Sequence, residues 1–281
     1  MSIDLDWLRQ QFPTLFELQP LSDGGQKIVL QGSHKEHGDV VLKLIRPTED
    51  IEGIRREILA VQRIWSPRVP PILEFGQISS PVGDCFWIVE KRIHGVTLRE
   101  RLHANGPLSQ STLLTLGTHI LEALHDSEKH HIVHRDVKPE NIIQGSDGQY
   151  WLLDFGIARH LKLDSQTNTL SPFGKFTPGY APREQFRNIK SEIDSRADLF
   201  ALGVTLYESA TGFNPFIVDT KSLLEVLRRV ESMKLPRLEL PHPSPEGFAD
   251  FVETLVQKRR DHRPSSAAEA LSWLADISRG Y

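Results

Sequence analysis

The chain has 281 residues, 39% hydrophobic and 25% charged, a composition that excludes a disordered, fibrous or membrane-embedded polypeptide and leaves enough apolar side chain for a sizeable core. Lysine plus arginine total 33 against 37 aspartate plus glutamate, a formal charge of −4, so the basic excess that accompanies binding to nucleic acid or an anionic membrane is missing. The lone cysteine, Cys85, cannot form an internal disulfide, and the opening MSIDLDWLRQQFP has neither the basic start nor the apolar run of a signal peptide. No stretch reaches the roughly 18 apolar residues of a membrane helix, and a cytoplasmic chain without a membrane span is expected.

Leu5, Leu8 and Phe12, with Trp7 alongside, recur at helical spacing, so residues 1–17 are expected to form a helical extension that either packs on the neighbouring lobe or docks a partner. From about Leu18 to Val89 the chain carries short β-rich runs (KIVLQG, DVVLKLI, PPILEFG, CFWIVE), interrupted by one helical stretch, EDIEGIRREILAVQRIW. Ile54, Ile58, Val61 and Ile64 mark the apolar face of that helix, and Glu57 sits at its edge. Beyond Thr97 the pattern turns helical, through TLRERLH, TLLTLGTHILEALHDSEK, ADLFALGVTLYESATG, SLLEVLRRV, GFADFVETLVQKR and AAEALSWLADI. Between the second and third of these runs lies HIVHRDVKPENIIQGSDGQYWLLDFGIAR, a loop and hairpin with more polar side chains than a buried connection tolerates without purpose.

His134-Arg135-Asp136-Val137-Lys138-Pro139-Glu140-Asn141, followed by Asp154-Phe155-Gly156, resembles the catalytic and metal-binding loops of protein kinases of the bacterial, eukaryotic-like serine/threonine type. The resemblance implies a bilobal α+β kinase fold: a small β-rich lobe with one helix at about 18–90, a linker near 90–96, and a larger helical lobe at about 97–277. Phosphoryl transfer requires a carboxylate for the acceptor hydroxyl, cations against the phosphates, and oxygen ligands for Mg2+. By resemblance Asp136 is the base, Lys138 steadies the transferring group, and Asn141 and Asp154 supply oxygens to the metal. Lys138, two residues after the base, is the serine/threonine arrangement. ATP, Mg2+ and protein substrates are the implied ligands, and phosphate acceptors on the chain itself are expected.

The ATP-binding set implied by the same resemblance is Lys43, Glu57, Ser22, Gly24, Gly25, Val29 and Val41. Lys43 is expected to hold phosphates and to pair with Glu57, because a lysine on an apolar strand must find an anion. The glycine-rich loop is partly degenerate: Ser22 and Lys27 stand where the family has its first and third glycines. At the strand that leads to the linker two registers are open: Glu90 occupies the position that gates the back pocket, or Val89 does and Glu90 is the first linker residue. Between Gly156 and Glu184, Thr167 and Thr169 are the preferred phosphosites, with Arg135 as the phosphate's partner.

Thr177 matches the threonine that contacts the base and its lysine, Glu184 and Arg263 match a buried structural pair, and Asp198 matches the aspartate that holds the catalytic-loop backbone. His130, His131 and His134 lack the spacing of a zinc hydrolase, and His134 is expected to brace the loop. No sensor accompanies these motifs, so regulation by partners, a separate regulatory chain among them, or by abundance is expected. A pseudokinase scaffold is the alternative, motivated by the degenerate glycines and by Glu90.

Overall fold

The structure, a computed structural model, describes residues 4–23, 27–45, 51–80, 83–155, 176–241, 244 and 246–280. Of these, 4–65 and 70–93 form one compact unit, and 66–69, 94–155 and 176–280 form a second.

The first unit opens with helix α1 (Leu5–Gln11), whose first turn is capped by the Asp4 carboxylate accepting from the Asp6 N–H. Strands β1 (Leu15–Asp23), β2 (Lys27–His34), β3 (Gly38–Ile45), β4 (Ile72–Ser80) and β5 (Gly83–Lys91) make one antiparallel sheet in the order β1-β2-β3-β5-β4. Helix α2 (Ile51–Val61) lies between β3 and β4 in sequence. Alternation along the strands sorts the side chains onto two faces. Leu30, Val40, Leu42, Leu44 and Val89 point one way and are buried with Leu8 and Phe12 of the α1 segment. Ile45, Phe86 and Ile88 point the other way and receive Ile54 and Ile58 from α2. The N-terminal helix is thus packed on the sheet, with Phe12 edge-on to Trp87 at 5.3 Å. Helix α2 stops at Val61, short of the Trp65 expected from its pattern, and leaves Trp65 91% exposed.

The second unit begins with β6 (Gly95–Thr97), α3 (Leu98–Asn105) and α4 (Gln110–Glu128). A three-stranded sheet joins β6 to the hairpin β7 (Ile142–Gly145) and β8 (Tyr150–Leu152). Then come α5 (Arg183–Phe186), α6 (Arg196–Thr211), α7 (Leu223–Ser232), α8 (Phe248–Leu255) and α9 (Ala267–Arg279). Helix α6 has apolar side chains on every side and is buried from Ala197 to Ser209, with Asp198 and Glu208 among the buried residues. A Cβ on its Gly203 would lie 2.7 Å from the Leu255 side chain, so only glycine lets α8 approach this closely.

Beyond α8, the Lys258 ammonium lies 4.4 Å from the centre of the Phe216 ring and 5.7 Å from that of Phe200, and its Nζ has no hydrogen-bond partner among the described residues. Burial, aided by the Arg263 charge, pulls this amine from its ordinary 10.5 down to about 8. The aromatic faces return about 1–2 kcal/mol, which does not offset the desolvation. The unfolded chain therefore binds one more proton than the folded chain between about pH 8 and 10.5, and stability rises with pH across that window. Lys258→Met is expected to be more stable than wild type at pH 7 by about 2 kcal/mol, the gap closing above pH 10; denaturant midpoints of both proteins from pH 7 to 10.5 check this.

Candidate active site

Helix α6 carries Asp198 in its first turn, where unpaired backbone N–H groups favour a carboxylate. The side chain is 2% exposed. Its two oxygens accept the backbone N–H groups of His134 at 2.7 Å and Arg135 at 2.6 Å. This clamp holds Arg135 at a φ of 64°, a left-handed conformation that costs a non-glycine residue about 1 kcal/mol. Gln185 of α5 donates to the Arg135 carbonyl at 2.7 Å from the other side.

The buried His134 ring ties this turn to the segment after β8. Nδ1 accepts from the Asp136 N–H at 3.2 Å, which assigns the ring proton to Nε2, and Nε2 donates to the Leu153 carbonyl at 2.7 Å. The ring also meets Phe155 edge-on at 4.6 Å. Leu153 in turn donates its N–H to the Asn141 carbonyl at 2.8 Å. Asp154, between Leu153 and Phe155, has a φ of 61°. Two strained backbone positions thus flank one histidine that bonds to both segments.

Asp136 lies at the centre of a compact polar cluster. Asn141, at the end of the 3₁₀ turn Pro139–Asn141, donates its amide nitrogen to the Asp136 carbonyl at 2.8 Å and to Oδ2 at 2.9 Å. The Lys138 ammonium is 3.0 Å from the same Oδ2 and donates to the Thr177 hydroxyl at 2.9 Å. Thr177 completes the ring by donating to Asp136 Oδ1 at 2.6 Å. With its nitrogen committed to Asp136, Asn141 turns its amide oxygen elsewhere. An amide oxygen at Asn141 and a carboxylate at Asp154 are hard oxygen donors of the kind that Mg2+ takes.

In the first unit, strand register lines up Ser22, Val29, Lys43 and Ile88 across four neighbouring strands. Val41 lies two residues from Lys43 on the same face, opposite Glu90. Lys43 is 7% exposed, and its ammonium donates to Glu90 at 2.5 Å, a partner that the kinase resemblance does not assign. Val89 belongs to the core on the opposite face, so of the two residues only Glu90 shares the side of Lys43. Glu57 is half-buried on α2, which packs on that side. Gly24, Gly25, Thr167 and Thr169 lie outside the described residues.

Two supports include residues with no local signal in the sequence. Arg99 of α3 donates to Glu140 at 2.8 Å, Glu208 at 2.6 Å and the Tyr180 hydroxyl at 2.7 Å, while Tyr180 donates to Glu208. Burial, reinforced by the Glu208 carboxylate, pushes the Tyr180 phenol far up, so it remains a donor. Glu184 and Arg263 form the expected buried pair at 2.6 Å, and Arg263 also donates to the carbonyls of Gln257, Arg196 and Lys258.

His34, His37 and Glu74 bring ligand-type atoms within 4.8 Å of one another. However, His34 Nδ1 accepts the N–H groups of Glu36 at 3.0 Å and His37 at 3.2 Å. That leaves the proton on Nε2, the atom facing Glu74 at 3.3 Å and the one a metal would need. The trio braces a turn.

These elements define a protein kinase fold, and the chain belongs to the protein kinase domain family, whose model matches residues 17–273. Among its relatives, the serine/threonine-protein kinase PknB of Mycolicibacterium smegmatis is 31% identical over 265 residues, 92% of this chain and 41% of that protein. PknB of Mycobacterium tuberculosis is 29% identical over 269 residues, again 92% and 41%. The chain thus spans about two-fifths of the length of these curated relatives. The crystal structure of Rad53 1-466 in complex with AMP-PNP matches with a TM-score of 0.73 at 22% identity, covering 96% of this chain and 68% of that one. No helix among the described residues is long and apolar enough to cross a membrane.

Asp198→Asn keeps the shape of the side chain but turns an NH2 group toward one of the two backbone N–H groups. The substitution is expected to cost about 2–4 kcal/mol and to speed amide exchange at His134 and Arg135. Denaturant unfolding and hydrogen exchange measure the two effects.

Proposed function

We propose that this chain transfers the γ-phosphoryl group of ATP to serine and threonine hydroxyls of proteins, its own included. The observation that carries this reading is the closed ring of Asp136, Asn141, Lys138 and Thr177, in which a hydroxyl already donates to the Asp136 carboxylate at 2.6 Å. An acceptor hydroxyl presented to the same carboxylate gives up its proton to Asp136 as its oxygen bonds to the γ-phosphorus and the bond to the ADP oxygen breaks. Lys138, 3.0 Å from Asp136, is placed to follow the charge on the transferring group. Asn141 and Asp154 would hold Mg2+, which supplies charge neutralisation at the phosphate oxygens. Lys43 anchors phosphates, with Ser22, Val29 and Val41 beside it on the sheet and Glu57 as its helix-borne partner.

Arg135 carries the regulatory part of the reading. Its Nε is buried without a hydrogen-bond partner among the described residues, which suits an arginine awaiting a phosphate on Thr167 or Thr169. The names of the PknB relatives support serine and threonine as acceptors. Dependence on ATP and the free Cys85 support a cytoplasmic setting, and a separate regulatory chain remains part of the proposal.

Transfer of radiolabelled γ-phosphate from Mg-ATP to the protein and to a generic basic substrate tests this reading. Asp136→Asn is expected to lose at least about 10³-fold in rate while binding Mg-ADP as wild type does. Label that persists on serine or threonine in that variant would remove Asp136 from its role. Binding of Mg-ADP by wild type without any transfer would favour a pseudokinase.

A further inference from the structure

Lys43 and Glu90 are side chains of neighbouring strands, 9% and 12% exposed, in an ion pair at 2.5 Å. Register fixes them: Lys43 faces Ile88 and Val41 faces Glu90, which places the carboxylate one step along the same face from the lysine. The sheet itself sets this pairing, without requiring any helix to approach. The surroundings on that face are apolar, with Ile88 fully buried and Val29 nearly so, so the two charges interact with little screening by water. A carboxylate at this point opposes an arriving polyphosphate twice. It occupies the ammonium that would attract the phosphates, and it adds a like charge within a few ångströms of them.

We propose that Glu90 is a positioning residue that counters the charge of Lys43 and keeps nucleotide affinity low, because bound phosphates must share or displace its hold on the ammonium. This rests on the phosphotransfer reading for the identity of the ligand. The pairing of Lys43 with Glu90 stands on geometry alone. Glu90 here acts on binding and not on the chemical step, so its removal lowers KM for ATP and leaves kcat near its starting value.

The test compares wild type, Glu90→Gln and Glu90→Asp. Calorimetric titration with Mg-ADP is expected to give a Kd about tenfold lower for Glu90→Gln, a coupling of ordinary size between two charged groups. Glu90→Asp retains the charge and should stay near wild type. Without nucleotide, Lys43 should be acylated several-fold faster in Glu90→Gln than in wild type, because its amine is released from the ion pair that engages it; peptide mass spectrometry reads this. A merely structural role would move the thermal midpoint but neither of these values. Should Glu90→Gln not fold, Glu90→Met carries the same comparison. An unchanged or higher Kd in the neutral variants, with nucleotide still bound, overturns this inference alone. Failure of every form to bind nucleotide overturns the kinase reading and this inference with it. An unchanged acylation rate removes Glu90 as the counter-charge of Lys43.

Discussion

The polar cluster of the second unit depends on one buried carboxylate. Asp198 is held by the most deeply buried helix of that unit, and both of its oxygens are spent on consecutive backbone N–H groups of the segment that carries Asp136. A turn with a left-handed arginine is not a conformation the chain adopts unaided. Two charge-assisted hydrogen bonds, each worth about 1.5–3 kcal/mol, exceed that strain and leave a surplus that makes the turn rigid. Everything downstream inherits its position: Asp136 follows Arg135 directly, and the His134 ring, fixed by the same clamp, holds Leu153 and so sets Asp154. The geometry of the proposed base and of the proposed metal ligand is therefore a property of the α6 core, transmitted through three backbone hydrogen bonds.

The sheet of the first unit works by a different principle. No single contact holds Lys43; the register of β2, β3 and β5 does. Because antiparallel pairing alternates faces, one row places Val29 and Lys43 together, and the next places Val41 beside Glu90. The opposite face has to be dry for this register to be unique, and the α1 segment supplies that dryness with Leu8 and Phe12. The N-terminal helix is in this sense part of what positions the lysine, although it is on the far side of the sheet from it.

Much of this is legible from local patterns. The helical periodicity of α4 and α6 depends on residues close in sequence, and the structure forms both helices where that periodicity runs; Asp136 and Asn141, five residues apart in one motif, are hydrogen-bonded to each other. Helical spacing overstates the extent of α2 because Ile64 is apolar and fits the pattern, yet it is buried beyond the end of the helix. The network of Arg99, Glu140, Tyr180 and Glu208 cannot be foreseen, since the bonds of Arg99 span 41 to 109 residues and no periodicity connects them. The same holds for Gln185, whose amide is as polar in an exposed turn as in the buried one it occupies. The ambiguity at Val89 and Glu90 has a physical origin: a charged residue at the end of a strand is equally at home on either register until its partner across the sheet is known.

Lys138 in the second unit and Lys43 in the first share a feature that sequence motifs do not express, which is that each is already paired with a carboxylate. Lys138 pairs with Asp136 and Lys43 pairs with Glu90. Within its own unit, neither lysine is without an opposing carboxylate. The pairing with Asp136 is unavoidable, because the carboxylate that receives the acceptor proton has to stand beside the group that steadies the phosphoryl. The pairing with Glu90 answers no such chemical need. On the proposed reading, a strand lysine opposed from the neighbouring strand attracts a polyphosphate less strongly, and leaves more of that attraction to a divalent cation, than one without such a neighbour. The hold of the strand lysine on phosphates is then governed by the β5 carboxylate one step along the same face, a position fixed by strand pairing.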